Sequence, residues 1–242
     1  MKYIKFTLFI FLGVFHSAGA QLPVSSAGGA SVLFLRSGLS ARVTGLGEAF
    51  TALADDENSL YYNPAGLFRM ANTRFTLNHT QWFEDIKFDN LSFGYRIRDR
   101  AGIAFGISHM WMPQIQGKNE IGQNTGKLSV SSSIFQVGIG FPVLDNVYGG
   151  ATVKYFSDNL ASYVSSGFAL DVGVFVYTII PELTFGASVQ NLGAKVKYNE
   201  ASQDLPLTLR AGLAYSIPQS TINLSVDVLK SQGSGLKVNM GG

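Results

Sequence analysis

The chain has 242 residues, 27 glycines, 12% aromatic and only 14% charged residues, no cysteine, and a formal net charge of +2. The missing thiols exclude disulfides, thiolate metal sites and a cysteine nucleophile, and the small net charge gives no electrostatic footprint for nucleic acid. Its charged fraction lies well below the roughly 25% of ordinary soluble domains.

Residues 1–20, "MKYIKFTLFIFLGVFHSAGA", set Lys2 and Lys5 before an apolar stretch from Phe6 to Phe15 and a small-residue end at Ala18-Gly19-Ala20. That stretch is too short for a membrane-spanning helix, which needs about 20 apolar residues, and the pattern predicts a cleaved signal peptide. Removing Lys2 and Lys5 with it leaves 16 basic residues against 16 acidic, and only His79 and His109 among the histidines. No later run is long and apolar enough for a helical span. Low charge with many glycines and aromatics behind a signal peptide fits a membrane β-barrel or a secreted β-sandwich, and the strand pattern decides between them.

Residues 43–67, "VTGLGEAFTALADDENSLYYNPAGL", present three chemistries at once. "GLGEAF" has two glycines of a dinucleotide fingerprint, but Phe50 stands where the third belongs and no strand precedes it, so a pyrophosphate has no helix N-terminus to meet. Asp55 and Asp56, with Glu57, have the makings of an acid–base pair or metal ligands. They are more simply a helix start, with Asp56 capping "ENSLYY" and Glu57 near the positive helix end. Asn63-Pro64 repeats that device ahead of "PAGLFRM", since Asn caps well and Pro suits the first helical position. The expectation is two or three short helices within residues 21–72, folded as a plug inside a barrel.

From residue 73 onward the pattern has period two, the mark of strands. Nine segments show it: "TRFTLNHTQW", "FDNLSFGYRI", "AGIAFGISHMW", "SSIFQVGIGF", "VYGGATVKYF", "GFALDVGVFVY", "ELTFGASVQNL", "PLTLRAGLAYSI" and "TINLSVDVL", with "GLKVNMGG" starting a tenth. In the sixth, Phe168, Leu170, Val172, Val174 and Val176 share one face. Opposite faces carry Asn78, Thr80, Ser92, Arg96, Lys154, Asp171, Gln190, Arg210, Asn223 and Asp227 among glycines and serines, as a water- or ligand-lined barrel interior would. These strands also match the 9–11 residues that cross a bilayer at a tilt, where soluble strands average about 5 or 6. An antiparallel transmembrane β-barrel over residues 73–242 is therefore expected. Turns at 98–100, 144–146 and 217–220 are short, whereas 113–127 and 193–205 read as long loops. Trp82, Trp111, Tyr95, Tyr148, Tyr177 and Tyr215 suit interfacial girdles and equally suit ordinary strand positions.

"ARVTGLGEAFTALADDENSLYYNPAGL" resembles the N-terminal signature of the PorV/PorQ family of outer-membrane proteins and, more distantly, the hatch of the FadL family of long-chain fatty acid transporters. The shared features are the glycine turn at Gly45 and Gly47, an alanine-rich helix with Ala49, Ala52 and Ala54, the Asp55-Asp56 pair, and Asn63-Pro64-Ala65. Residues 79–95, "HTQWFEDIKFDNLSFGY", also resemble the first hairpin of PorV-like barrels. The resemblance implies a FadL-like barrel of about fourteen strands with the N-terminal segment in its lumen. Nine strands and a stub, ending on "VNMGG", fall short of that, so a C-terminally truncated piece of a longer parent is expected.

The functional expectation is a non-enzymatic barrel in the outer membrane of a Gram-negative-type bacterium, in contact with outer-membrane lipids. On the PorV/PorQ resemblance it serves type IX secretion by receiving secreted proteins through their C-terminal signal domains. The alternative is a FadL-like passive transporter of long-chain fatty acids or another hydrophobic small molecule, with Leu46, Phe50, Leu53, Leu60 and Leu67 lining an apolar pocket or simply packing the plug. No cofactor, metal or nucleic acid is expected. A membrane hydrolase ranks third: serines accompany His79 and His109, but the sequence shows no nucleophile elbow and nothing that sets a base beside a serine, and His79 reads as a lumen or hairpin residue.

Overall fold

The computed structural model describes residues 33–36, 40–161, 163–198 and 201–242; the expected signal peptide lies outside the described residues. Among the described residues there are twelve strands: β1 (Arg74–Gln81), β2 (Lys87–Ile97), β3 (Ala101–Lys118), β4 (Asn124–Leu144), β5 (Val147–Leu160), β6 (Tyr163–Tyr177), β7 (Leu183–Leu192), β8 (Val196–Tyr198), β9 (Ala201–Gln203), β10 (Thr208–Ser216), β11 (Asn223–Ser231) and β12 (Leu236–Gly241). Ten of them form one antiparallel sheet in the order β1-β2-β3-β4-β5-β6-β7-β10-β11-β12, and β8 pairs only with β9. All ten segments with a period-two pattern are strands of this sheet.

Two loop expectations are corrected. Residues 113–127 are mostly strand, because β3 runs on to Lys118 and β4 begins at Asn124. Past Trp111 and Val130 this hairpin has no neighbouring strand, and a bulge between Met112 and Ile115 shifts its register. With neither a packed nor an apolar side to face, its residues lose the alternation by which strands are recognised. The second long loop carries the small β8–β9 hairpin, whose Val196 is buried against the wall.

Ahead of the sheet, the described residues form short helical pieces: a 3-10 turn at Leu33–Arg36, α1 (Ala41–Gly45), α2 (Ser59–Tyr62) and a 3-10 helix at Pro64–Arg69. The alanine-rich stretch is not helical. Ala49 to Ala54 form a single turn closed by Leu53 and Ala54 N–H groups on the Phe50 carbonyl, while the Phe50 and Thr51 N–H groups go to Asp227 of β11. A side chain from the sheet takes the donors that a helix start would leave open.

This segment bends the sheet around itself. The Glu48 carbonyl accepts from Asn239 of β12, and the Glu57 carboxylate accepts from Thr76 of β1, so the two ends of the strand order meet residues nine apart in sequence. Nine residues reach at most about 32 Å when extended, whereas ten strands laid flat span roughly 43 Å. The sheet is therefore curled, with β1 and β12 unpaired to each other among the described residues. A row of glycines lets it close tightly: Gly102, Gly140, Gly150 and Gly173 are successive register partners on β3, β4, β5 and β6. A Cβ on any of them would overlap the backbone at Pro64–Phe68 or the Asn63 side chain.

Outward side chains form an apolar belt. On β4, Phe135, Val137, Ile139, Phe141 and Val143 are all exposed, a stretch of about 27 Å along the strand and about 20 Å along the axis at a 40° tilt. The belt ends at one level, where His79, Asp89, His109, Ser133, Ser157 and Ser166 are register partners from β1 to β6. Inward positions are not uniformly polar as the alternation implied. Phe88, Ile134 and Phe156 form an apolar tier there, packed with Phe34, Leu35 and Tyr61.

Replacing Gly150 by Val should force Pro64 off the wall, at a cost of about 1–3 kcal/mol or more. Limited proteolysis of the folded chain should then cut within residues 40–70 at a protease concentration that leaves the unchanged chain intact.

Candidate functional site: the plug and its wall

The longest-range polar contacts join residues 40–70 to the inner wall. Asp227 is fully buried, and its carboxylate accepts from Phe50 N (3.0 Å), Thr51 N (2.9 Å) and Thr51 Oγ1 (2.5 Å). Adjacent backbone N–H groups at a turn make a small cradle for an anion, and a carboxylate occupying it is charge-assisted. The wall also donates to the segment's carbonyls: Thr184 to Ala52, Ser188 to Tyr62, Gln190 to Tyr61 and Tyr62, and Thr152 to Leu60. These groups satisfy backbone that forms little helix of its own.

Asn63 and Pro64 occupy the centre. Asn63 Oδ1 accepts from Ala65 N at 3.3 Å, capping the 3-10 helix whose first residue is Pro64, and Nδ2 donates to Thr51 O (2.9 Å) and Val174 O (3.0 Å). One side chain thus ties a cap, a second part of the segment and the wall. Ala65 is wholly buried beneath β4 and β5. Arg69 donates from Nη1 to Leu53 O (2.5 Å) and Ala54 O (2.9 Å), and its guanidinium lies 4.0 Å from the Phe175 ring centroid.

The glycines and acids serve the same segment. Gly47 and Glu48 have φ of 59° and 61°, a left-handed turn that ends α1 and sets Gly47 against the Met240 carbonyl; Gly45 stands free of close contacts in α1. Asp55 and Asp56 share Arg42, with Nη1 2.6 Å from Asp55 Oδ1. Burial opposes the charge of Arg42, but its bond to Asp55 and the charges of both acids outweigh this and hold the guanidinium above its ordinary pKa. Asp56 Oδ1 also accepts from Asn58 N at 2.8 Å, so it caps the turn into α2.

The leucines and phenylalanine are core. Phe50 and Leu53 are buried with Tyr62, and Leu46 packs on that cluster; Leu60 and Leu67 are buried with Met70 and Ala104.

Behind them lies a charged group that the period-two pattern places on the inner face but does not bring together. Lys154 Nζ is 2.6 Å from Asp171 and 3.0 Å from Asn191 Oδ1, with both charged side chains at most 1% exposed. Asp171 Oδ1 accepts from Asn191 N at 2.7 Å, where Asn191 adopts φ 61° beside a bulge between β6 and β7. Lys154 lies 5.0 Å from the Tyr61 ring and Arg210 5.1 Å from that of Tyr62. Burial, with Tyr62 beside it, pushes the Tyr61 hydroxyl above its ordinary pKa, and that hydroxyl donates to Leu35 O at 2.6 Å. Arg42 and Arg69, which organise the segment, carried no signal in the sequence; nothing in a lone arginine says which carbonyls it will meet.

The histidines are elsewhere. His79 is on the outward face, not in the lumen, paired with Asp89 at 2.6 Å. His109 Nδ1 lies 2.9 Å from Ser133 Oγ, so the fold does set a base beside a serine, through cross-strand register that linear spacing hides.

A curled antiparallel sheet with an apolar outside and a helical plug bound to its inside is the fold of FadL-like β-barrels, left open here between β1 and β12. The chain is similar to the TodX monoaromatic hydrocarbon channel, deltaS2 mutant, with a TM-score of 0.56, 12% identity, and coverage of 80% of this chain and 69% of that one. It is also similar to outer-membrane expressed OmpT of Vibrio cholerae, with a TM-score of 0.45, 15% identity, and coverage of 67% and 52%. No curated protein matches it. The chain belongs to the Uncharacterised protein family (UPF0164), which matches residues 26–154 and so takes in the plug and the wall as far as β5.

Removing one member of the Lys154–Asp171 pair should destabilise the fold by about 3–5 kcal/mol, because the other is left charged and unpaired. The double change Lys154→Met with Asp171→Leu should recover most of that loss. Urea unfolding of the four chains in detergent measures it.

Proposed function

We propose that the chain acts as an outer-membrane β-barrel of a Gram-negative-type bacterium through which hydrophobic small molecules pass, with residues 21–72 as its hatch and residues 1–20 as the signal that exports it. One observation carries this reading: a closely fitted plug lies inside a wall whose outer face is an apolar belt about 20 Å high, near the roughly 25 Å of outer-membrane barrels. The similarity to a monoaromatic hydrocarbon channel supports the same class of ligand. Outer-membrane lipids contact the belt. Passage requires the plug to shift, and Leu46, Phe50, Leu53, Leu60 and Leu67 are the apolar surface it would uncover. The lumen is given no catalytic role.

A second reading rests on residues 41–67 and 79–95, which resemble PorV/PorQ proteins. There the barrel receives secreted proteins through their C-terminal signal domains in type IX secretion. The many polar contacts that fasten the plug favour it, because a fixed plug suits a docking scaffold.

Uptake separates the two. Expressed in the outer membrane of a host lacking its own fatty acid channel, the chain should raise uptake of radiolabelled oleate or toluene several-fold, and Asp227→Ala should change that rate. Uptake equal to the empty host would sink the transport reading. Co-purification of secreted proteins with C-terminal signal domains from the native membrane would then establish the second.

A further inference from the structure

The outward face changes from apolar to polar at the row His79, Asp89, His109, Ser133, Ser157 and Ser166. Most of this row is what any barrel shows where it leaves the bilayer. Its middle is different, because three chemistries needed for acyl transfer occupy three neighbouring strands at one height.

We propose that Ser133, His109 and Asp89 form an ester-hydrolysing site on the outside of the wall, acting on the acyl esters of membrane phospholipids. Ser133 Oγ is 2.9 Å from His109 Nδ1, the nucleophile–base contact that such chemistry requires. The Trp111 ring stacks on the His109 ring, with centroids 5.2 Å apart and planes inclined by 23°, which holds the imidazole toward β4. Asp89 is the direct register partner of His109, with Cβ atoms about 5 Å apart by ladder geometry, so a carboxylate stands on the strand beside the base. His79 holds that carboxylate from the other side, with Nδ1 2.6 Å from Oδ1. Ser157, opposite Ser133, supplies a hydroxyl donor toward a developing oxyanion.

The height of the group selects the substrate, and this is the one point that rests on the membrane reading. Two residues further into the belt, Leu91, Ile107 and Phe135 share the outward face and meet acyl chains. Two residues the other way, Lys87 shares the face of Asp89 and is placed for a headgroup phosphate about 7 Å from the ester level. Phospholipid esters lie between those two layers.

The reaction balances with water alone. Ser133 Oγ attacks the ester carbonyl carbon as its proton passes to His109; the C–O bond to glycerol breaks and the departing oxygen takes that proton, leaving an acyl-serine and a lysophospholipid. Water then attacks the acyl-serine, its proton passing to His109 and on to Ser133 Oγ as the fatty acid leaves.

The test uses the full chain purified in detergent, where labelling does not depend on membrane placement, so its failure is distinguishable from failure of the transport reading. A fluorophosphonate probe should label Ser133, and fatty acid should be released from mixed phosphatidylethanolamine micelles. Ser133→Ala and His109→Ala should abolish labelling and lower release about 10³-fold, while Ser166→Ala leaves both unchanged. As a positioning residue, Asp89 should act through His109: Asp89→Asn should lower kcat and leave KM unchanged. Absence of labelling in the unchanged chain, with folding shown by heat-modifiable mobility, would overturn the proposal, as would release that persists in Ser133→Ala.

Discussion

A curled sheet whose edge strands do not hydrogen-bond to each other needs something to hold its ends, and here it is the segment from Leu46 to Glu57. Its start lies against Met240 and Gly241 of β12, its end bonds Thr76 of β1, and between them the Phe50 and Thr51 amides are fastened to Asp227 of β11. Strands that face the plug between Ala52 and Phe68 need either no side chain, as at Gly102, Gly140, Gly150 and Gly173, or one that gives a hydrogen bond to backbone lacking helical partners, as at Thr152, Thr184, Ser188 and Gln190.

Outside, large apolar side chains stand exposed and make no directional contacts. Inside, the contacts are short, directional and specific, because a polar backbone buried in a barrel must be satisfied atom by atom. The Lys154–Asp171 pair illustrates the cost of this arrangement: two buried charges add little net stability when paired and leave a large penalty when one partner is removed. The apolar tier at Phe88, Ile134 and Phe156 packs around Phe34 and Leu35.

The strands are legible because one face of each carries exposed apolar side chains and the other faces the inside of the curled sheet, so the period of two survives through ten segments. The hairpin past Trp111 and Val130 was misread as a loop for the converse reason: both of its faces meet solvent, and Pro113 with a bulge breaks its register. Asn63-Pro64 announced a cap, since that signal is local. The helix expected at Ala49, Ala52 and Ala54 failed because its carbonyls are claimed from elsewhere, Thr51 O by Asn63, Ala52 O by Thr184, and Leu53 O and Ala54 O by Arg69, a competition that no local propensity contains. His109 and Ser133 came together by the same kind of long-range register, through β3 and β4. What pairs across strands is fixed by turn lengths and bulges, and one misplaced turn moves every partner.

Hydrogen exchange of the full chain in detergent tests the bridge most directly. Amides in residues 46–70 should exchange as slowly as those of β3 to β6, and Asp227→Ala should speed exchange around Phe50 and Thr51 by at least about tenfold, the equivalent of one lost charge-assisted bond or more. Exchange in residues 46–70 of the unchanged chain as fast as in an unstructured peptide, with the strands protected, would contradict the account: the wall would then hold its curvature without the plug.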